Sequence, residues 1–174
     1  MLRAWAVLWE EYGRLHKLLI QVTRQDELCR RFMAIPDVGP VAALAFKTGV
    51  DEPHRFRRSK TVGAHFGLTP RRIQSGDSVD FDGHISRIGD DEVRSTLYEA
   101  AHVLLTKGRT PSGLKSWGLK LAKRRGHKRA AVAVAHKLAT IMHRMWIDGT
   151  EFRFGTTAAA EAAEVPVGGS LAAA

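Results

Sequence analysis

Asp90-Asp91-Glu92-Val93-Arg94-Ser95-Thr96-Leu97-Tyr98-Glu99-Ala100-Ala101-His102-Val103-Leu104-Leu105 is the stretch whose reading decides the fold. Three acidic residues open it, and negative charge is favoured at the positive end of a helix dipole. Behind them Val93, Leu97, Ala100, Ala101, Leu104 and Leu105 recur at helical spacing and form one apolar stripe. Gly108 ends the run. The same pattern returns twice downstream. A second helix is predicted from about Ser112 to Arg125, with Leu114, Trp117, Leu119 and Leu121 turned inward. A third is predicted from about Lys128 to Ile147, burying Ala131, Val134, Ala135, Leu138, Ile141, Met142, Met145 and Trp146. Together these three helices, spanning 92–148, can supply most of a core. The chain therefore reads as mainly α, with its Met and Trp side chains used for packing.

Upstream of this bundle the pattern changes. Residues 73–91 hold the turn formers Ser75, Gly76, Asp77, Asp82 and Gly83 around the short alternation Ser78-Val79-Asp80-Phe81. Val79 and Phe81 share one face, which fits a loop or a small β-hairpin, the one strand region expected. Arg71 and Arg72 precede it in what reads as an exposed turn. Residues 54–66, with Arg57 and Arg58, read as a short basic helix that Ser59 caps or lies within, ended by Gly67-Leu68-Thr69-Pro70. Over 33–50, Pro36 discourages helix at Ile35, Gly39 permits a tight turn, and Pro40 suits the first turn of a new helix. This is a helix-hairpin-helix pattern. It serves either as a plain connection or as a grip on a DNA phosphate, which glycine allows to come close to the backbone. Lys47 and the basic run after it favour the second use.

Residues 1–32 read as a long amino-terminal coiled-coil-like helix. Trp5, Leu8, Tyr12, Leu15, Leu19 and Val22 alternate steps of three and four, and the seam breaks at Asp26. Some partner must cover this face, either the chain's own domain or another chain, and pairing is slightly favoured. The expected organisation is a linker helix over 1–32, a main domain over 33–150, and a disordered tail over 151–174. From Gly155 onward that tail has almost nothing to bury.

Charge narrows the function classes. The 174 residues carry a formal net charge of +9. Between Ala100 and Ile147 there are eleven Lys or Arg and no Asp or Glu. So one-sided a stretch repels itself, and an anionic polymer would neutralise it with release of counterions. DNA is the expected partner, and the candidate contacts are Gly39, Lys47, Arg57, Arg58, Arg71, Arg72, Arg87, Lys123, Arg124 and Arg125. With Cys29 as the one cysteine, a disulfide framework and a Cys-based zinc site are excluded. No apolar run is long enough to span a bilayer, and residues 1–9 lack a signal-peptide cleavage pattern, so a cytoplasmic, nucleoid-associated protein without a membrane partner is expected. His136 and His143 lie on one helix face, but packing or surface roles account for them better than metal ligation. Asp80, Asp82, Asp90 and Asp91 read as turn and cap residues, and no metal or cofactor is expected in this chain.

Ser86, in Gly83-His84-Ile85-Ser86-Arg87, is the candidate nucleophile. It is not set in a Gly-x-Ser-x-Gly elbow, and the chain has no P-loop. A serine attacking phosphate needs cations around the phosphoryl oxygens, and Arg71, Arg72 and Arg87 could supply them. Taken locally, a loop serine before arginine is more commonly a turn or cap residue.

Five blocks in order change that balance. Ile35-Pro36-Asp37-Val38-Gly39-Pro40, Phe56-Arg57-Arg58-Ser59, Val62-Gly63-Ala64-His65-Phe66-Gly67-Leu68-Thr69-Pro70-Arg71, Gly83-His84-Ile85-Ser86-Arg87-Ile88-Gly89-Asp90 and Leu97-Tyr98-Glu99-Ala100-Ala101 resemble the carboxy-terminal transposase domain of DEDD-type insertion-sequence transposases, the bacterial recombinases guided by a bridge RNA. The likeness covers roughly residues 30–148. It implies a mainly helical domain that recombines DNA through a serine, with transient covalent attachment to a DNA end. That serine maps onto Ser86. A guide RNA and a homo-oligomer, or a mixed oligomer with full-length transposase, are implied partners, the amino-terminal helix being similar to the family's coiled-coil segment. The family's RNase-H-like domain, with its four acidic metal ligands, has no counterpart here. Magnesium is thus expected only in that domain, and the chain reads as a truncated frame or a fragment whose alternative role is nucleic-acid binding or oligomerisation without catalysis. Asp37 stands where the family commonly has Gly, and His84 where it commonly has Arg.

Overall fold

The computed structural model describes residues 2–75 and 79–155. Its elements are α1 (Leu2–Gln25), α2 (Glu27–Met33), α3 (Pro40–Val50), a 3₁₀ turn (Pro53–Arg55), α4 (Lys60–His65), β1 (Pro70–Ser75), β2 (Val79–Ile85), α5 (Asp91–Thr106), α6 (Gly113–Arg125) and α7 (His127–Asp148). The mainly α expectation holds, and β1 and β2 form the small antiparallel hairpin.

α7 is the axis of the molecule, with α4, α5 and α6 packed around it. Its buried face is rich in alanine: Ala130, Ala131, Ala135 and Ala139 interleave with Val134, Leu138, Met142 and Met145. Such small side chains let neighbouring helices approach closely. α6 makes use of this at Gly118, where a Cβ would lie 2.7 Å from both Leu105 and Val134 side-chain carbons. At the other end of α7, Phe32 of α2 packs edge-on to Phe46 of α3 and to Trp146, with centroids 5.5 and 6.0 Å apart. Burying each such phenyl ring contributes roughly 1.5–3 kcal/mol. The one buried histidine, His143, donates from Nε2 to the Pro53 carbonyl at 2.8 Å, with Nδ1 3.0 Å from the Ser59 hydroxyl. It fastens the 53–59 segment to α7 and is a packing residue.

Local chemistry sets the element ends. Asp90 caps α5, its Oδ1 accepting from the N–H groups of Glu92 and Val93 at 2.8 and 3.2 Å. Ser112 caps α6 by accepting from the Lys115 N–H at 3.2 Å. Asp26 caps α2 by accepting from the Cys29 N–H at 2.8 Å, and it also pairs with the Lys47 ammonium. Burial alone would raise the Asp26 carboxyl, but these two partners hold it below the usual carboxylate range. Burial, followed by the Asp26 charge, pushes the Cys29 thiol up to about 11, so it stays protonated and unreactive.

Five expectations need correction. Residues 2–32 are two helices, divided at Asp26, whose extended backbone (ψ 121°) starts α2 afresh. α2 sends Cys29 and Phe32 into the core. The 54–66 segment is a 3₁₀ turn followed by a short helix, because Pro53 and the Glu52 side chain, accepting from the His54 N–H, organise a separate turn. Arg71 and Arg72 lie in strand β1 rather than in a turn. Trp117 and Leu119, expected inward, are 37% and 39% exposed. Residues 151–155, expected to belong to the tail, are instead held to the fold, since the Phe154 carbonyl accepts from the Gly113 N–H at 2.9 Å and Phe152 packs on the core. Residues 76–78, with the expected turn formers Gly76 and Asp77, and residues 156–174 of the expected tail lie outside the described residues.

Candidate nucleic-acid interface

Ser86 follows directly on β2, and the hairpin delivers it to a fixed place. Pro70 pairs with Ile85 across the ladder, and a register irregularity follows between Pro70 and Arg72. Beyond the last pair, the Ser86 N–H donates to the Thr69 carbonyl at 2.9 Å and the Arg87 N–H to Gly67 at 3.4 Å. Two glycines seat this loop against the end of α4. At Gly67 (φ +68°) a Cβ would lie 2.5 Å from the Ile88 carbonyl oxygen and 2.7 Å from its nitrogen. At Gly89 (φ +85°) a Cβ would collide with the His65 carbonyl oxygen. Only glycine meets both demands, a left-handed backbone and no side chain.

Arg94 holds the same loop from beneath. Its guanidinium is almost buried, and Nη1 donates to the Phe66 carbonyl at 3.3 Å and the Ile88 carbonyl at 3.5 Å. Nη2 pairs with Asp91. A buried guanidinium left without such partners would be strongly destabilising, so the loop and α5 hold one another in register. Arg87, at φ +54°, adopts a conformation that non-glycine residues rarely take. Ser86 itself is half-buried, and its Oγ is screened from solvent with no hydrogen-bond partner among the described residues. Leaving a buried hydroxyl unpaired costs about 1–3 kcal/mol, and such orphans are rare in folded proteins.

Ser86 lines an open groove of about 1790 Å³ bounded by the serine loop, α4, α5, α6 and α7. Eight cations line it: Lys60, Arg71, Arg87, Arg124, Arg125, Lys128, Arg129 and Lys137. None of the described residues lining it is acidic. Arg124 and Arg125 end α6, where positive charge suits the helix dipole. Lys128 and Arg129 begin α7, where it does not, and no acidic residue offsets them in that first turn. Cations set against the dipole fit a place where an external anion binds. Gly126 joins the two helices at φ +84° and gives α7 no side-chain cap. His136 lines the groove too, packed against Gly63 of α4, and burial holds its imidazole below the ordinary histidine range.

The residues expected at the site divide into two groups. Ser86, Arg71, Arg87, Arg124 and Arg125 share the groove. Arg57, Arg58 and Lys123 are exposed but are not among the residues lining it. Lys47 pairs with Asp26 at the junction of α2 and α3. Gly39 precedes α3 at φ −85° with no atom within 4 Å of a built Cβ, so folding does not require glycine there. The side chain of Arg72 is outside the described set. Sequence reasoning missed Lys60, Lys128, Arg129 and Lys137, which reach the groove from α4 and α7, and it missed Arg94 altogether. The signal for Arg94 was available: Leu97, Ala101 and Leu105 follow it at steps of three and four, which puts it on the apolar face of α5. Among the described residues no group of three His, Cys, Asp or Glu side chains is placed to hold a metal ion. Among the described residues no helix is long and apolar enough to cross a membrane.

Residues 29–115, half of the chain, match the family described as Transposase IS116/IS110/IS902. The transposase for insertion sequence element IS1111A of Coxiella burnetii is 35% identical over 147 residues, covering 84% of this chain and 40% of that protein. The transposase for insertion sequence element IS1328 of Yersinia enterocolitica is 29% identical over 153 residues, covering 83% of this chain and 46% of that protein. A pilin gene-inverting protein of Moraxella bovis is 29% identical over 109 residues, covering 63% of this chain and 34% of that protein. The chain thus spans less than half the length of these relatives.

Proposed function

The chain belongs to the Transposase IS116/IS110/IS902 family, and on that premise we propose that it binds DNA in the groove beside the serine loop and recombines it through Ser86. The observation that carries this reading is the meeting of Ser86 with eight groove-lining cations and no acidic neighbour among the described lining residues. Phosphates seated there are neutralised by Arg71, Arg87 and the α6–α7 cations, which lowers the cost of the extra negative charge that builds up during phosphoryl transfer. Ser86 Oγ then displaces a deoxyribose oxygen at phosphorus. A serine–phosphate ester forms, the phosphorus–sugar bond breaks, the serine proton is lost and the departing sugar oxygen is protonated. Attack by a second DNA hydroxyl reverses these steps, rejoins the strand and frees the serine. Rotation of the Ser86 side chain into the groove is the local change this requires.

Insertion-sequence transposases and a gene-inverting protein among the relatives support DNA rearrangement as the process. Such binding places the protein on the bacterial nucleoid. The same phosphate chemistry extends the proposal to a guide RNA as partner. A second reading comes from α1, where Trp5, Leu8, Tyr12 and Leu15 are more than half exposed. On this reading the chain binds nucleic acid and joins homo-oligomers, or mixed oligomers with a longer family member, without cutting.

One experiment separates the two. End-labelled DNA is incubated with the chain, alone and mixed with a full-length family member whose own serine has been removed, and covalent protein–DNA adducts are resolved on a denaturing gel. The first reading expects an adduct that Ser86→Ala abolishes, with DNA affinity held within about twofold and falling linearly with log salt. Adducts of equal yield from Ser86→Ala would refute Ser86 as nucleophile. Salt-sensitive binding with no adduct under either condition would leave the second reading standing.

A further inference from the structure

The groove contains a feature that phosphate binding leaves unused. Trp117 of α6 lines it with 37% of its surface exposed, although tryptophan is among the side chains most favourable to bury. The Lys137 ammonium lies over the face of the indole ring, 4.3 Å from its centroid, so a base stacking on that face displaces it toward the neighbouring phosphate. Leu121, one turn further along α6, and Val132 and Ala133 of α7 add apolar surface to the same groove. Arg124, Arg125, Lys128 and Arg129 supply its charge. A duplex turns phosphates and sugars outward and would touch only the cations, whereas an unpaired strand offers phosphates and base faces together. An aromatic platform beside cations is the arrangement that receives both.

We propose that the groove takes an unpaired DNA strand, with one base stacked on Trp117 and the neighbouring phosphate held by Lys137, on the way to Ser86. This rests on the DNA-binding reading above and narrows its substrate: the strand reaching Ser86 is separated from its complement within the groove. Trp117 selects single strands because every base has a stacking face, and it does so without regard to sequence.

The test compares the affinities of the intact chain for a labelled single strand of about 15 nucleotides, a size common for such sites, for the matching duplex, and for an abasic strand of equal length. Trp117→Ala is expected to weaken single-strand binding roughly tenfold and duplex binding by less than about twofold. Trp117→Phe should restore most of the loss. The wild type should bind the abasic strand roughly tenfold more weakly than the normal strand, and this difference needs no variant that must fold. It should vanish in Trp117→Ala. Arg124→Gln combined with Arg125→Gln should weaken every nucleic acid tested. If those charge changes weaken binding while Trp117→Ala affects strand and duplex alike, or neither, and the wild type does not distinguish abasic DNA, the stacking proposal is overturned and the groove stands. If the charge changes alter nothing, the groove is not the DNA site and both readings fall.

Discussion

A methyl group at position 89 would land on the carbonyl oxygen of His65, where the backbone is already left-handed at φ +85°. Nothing at that point can yield without moving either α4 or the segment that carries Ser86. Gly89→Ala is therefore expected to destabilise the protein by about 1–3 kcal/mol, the usual scale for a strained backbone combined with a steric clash. It should also reduce the Ser86-dependent adduct by more than it reduces DNA affinity, because it displaces the serine loop and leaves the α6–α7 cations in place. Gly39→Ala is the matched control, since that site has open space and an ordinary φ of −85°. Equal urea midpoints for the two variants would show that the loop is not seated as described. Asp37 illustrates the converse. It occupies φ +63°, which glycine takes without strain, and its Oδ2 has no hydrogen-bond partner among the described residues.

Secondary-structure elements differ in how openly the sequence announces them. α5, α6 and α7 begin and end close to where apolar spacing and the cap residues Asp90 and Ser112 place them, because one buried stripe dictates each. Periodicity also assigns Trp117 to the core, yet it is 37% exposed, because spacing defines a face without saying whether that face meets protein or a groove. The groove was legible only in part. Arg71, Arg87, Arg124 and Arg125 stand in recognisable local settings, but Lys60 and Lys137 become neighbours of Ser86 only once α4 has docked on α7. α1 is the element the core explains least. Its exposed apolar residues Trp5, Leu8, Tyr12, Leu15 and Val22 keep heptad spacing, and the rings of Trp5, Trp9, Tyr12 and His16 stack in succession at 5.9–6.3 Å. Thr23, near its end, is buried. If this stripe pairs between copies, Leu8→Glu combined with Leu15→Glu should convert an oligomer into a monomer by light scattering, with little change in monomer stability. A wild-type chain that is monomeric at tens of micromolar, a range in which even weak specific pairing is populated, would rule the pairing out.

For the molecule as a whole, the junction between the serine loop and the helical core runs through α4, and that junction carries two histidines whose protonation the fold resists. Burial holds the His136 imidazole low. Burial, and then the Arg55 charge, does the same for His65, whose Nε2 lies 3.1 Å from the Arg55 guanidinium. His136 packs on Gly63 within α4, and the His65 carbonyl is the atom against which Gly89 is seated. Both folded values lie below the usual 6.5, so between the two the unfolded chain binds more protons than the folded one. Stability then rises with pH across that window. It should be level above about pH 6.5, the unperturbed histidine value, and should fall as the solution is acidified toward the folded values. Asp26 has the same sign in a separate window below the ordinary carboxylate value of 3.8, since its folded carboxyl is also held low. Urea midpoints measured between neutral and mildly acid pH test this directly. The double variant His65→Gln, His136→Gln should flatten the mildly acid decline while leaving the deeper loss due to carboxylates. A decline of unchanged steepness in the double variant would place its origin away from the α4 junction.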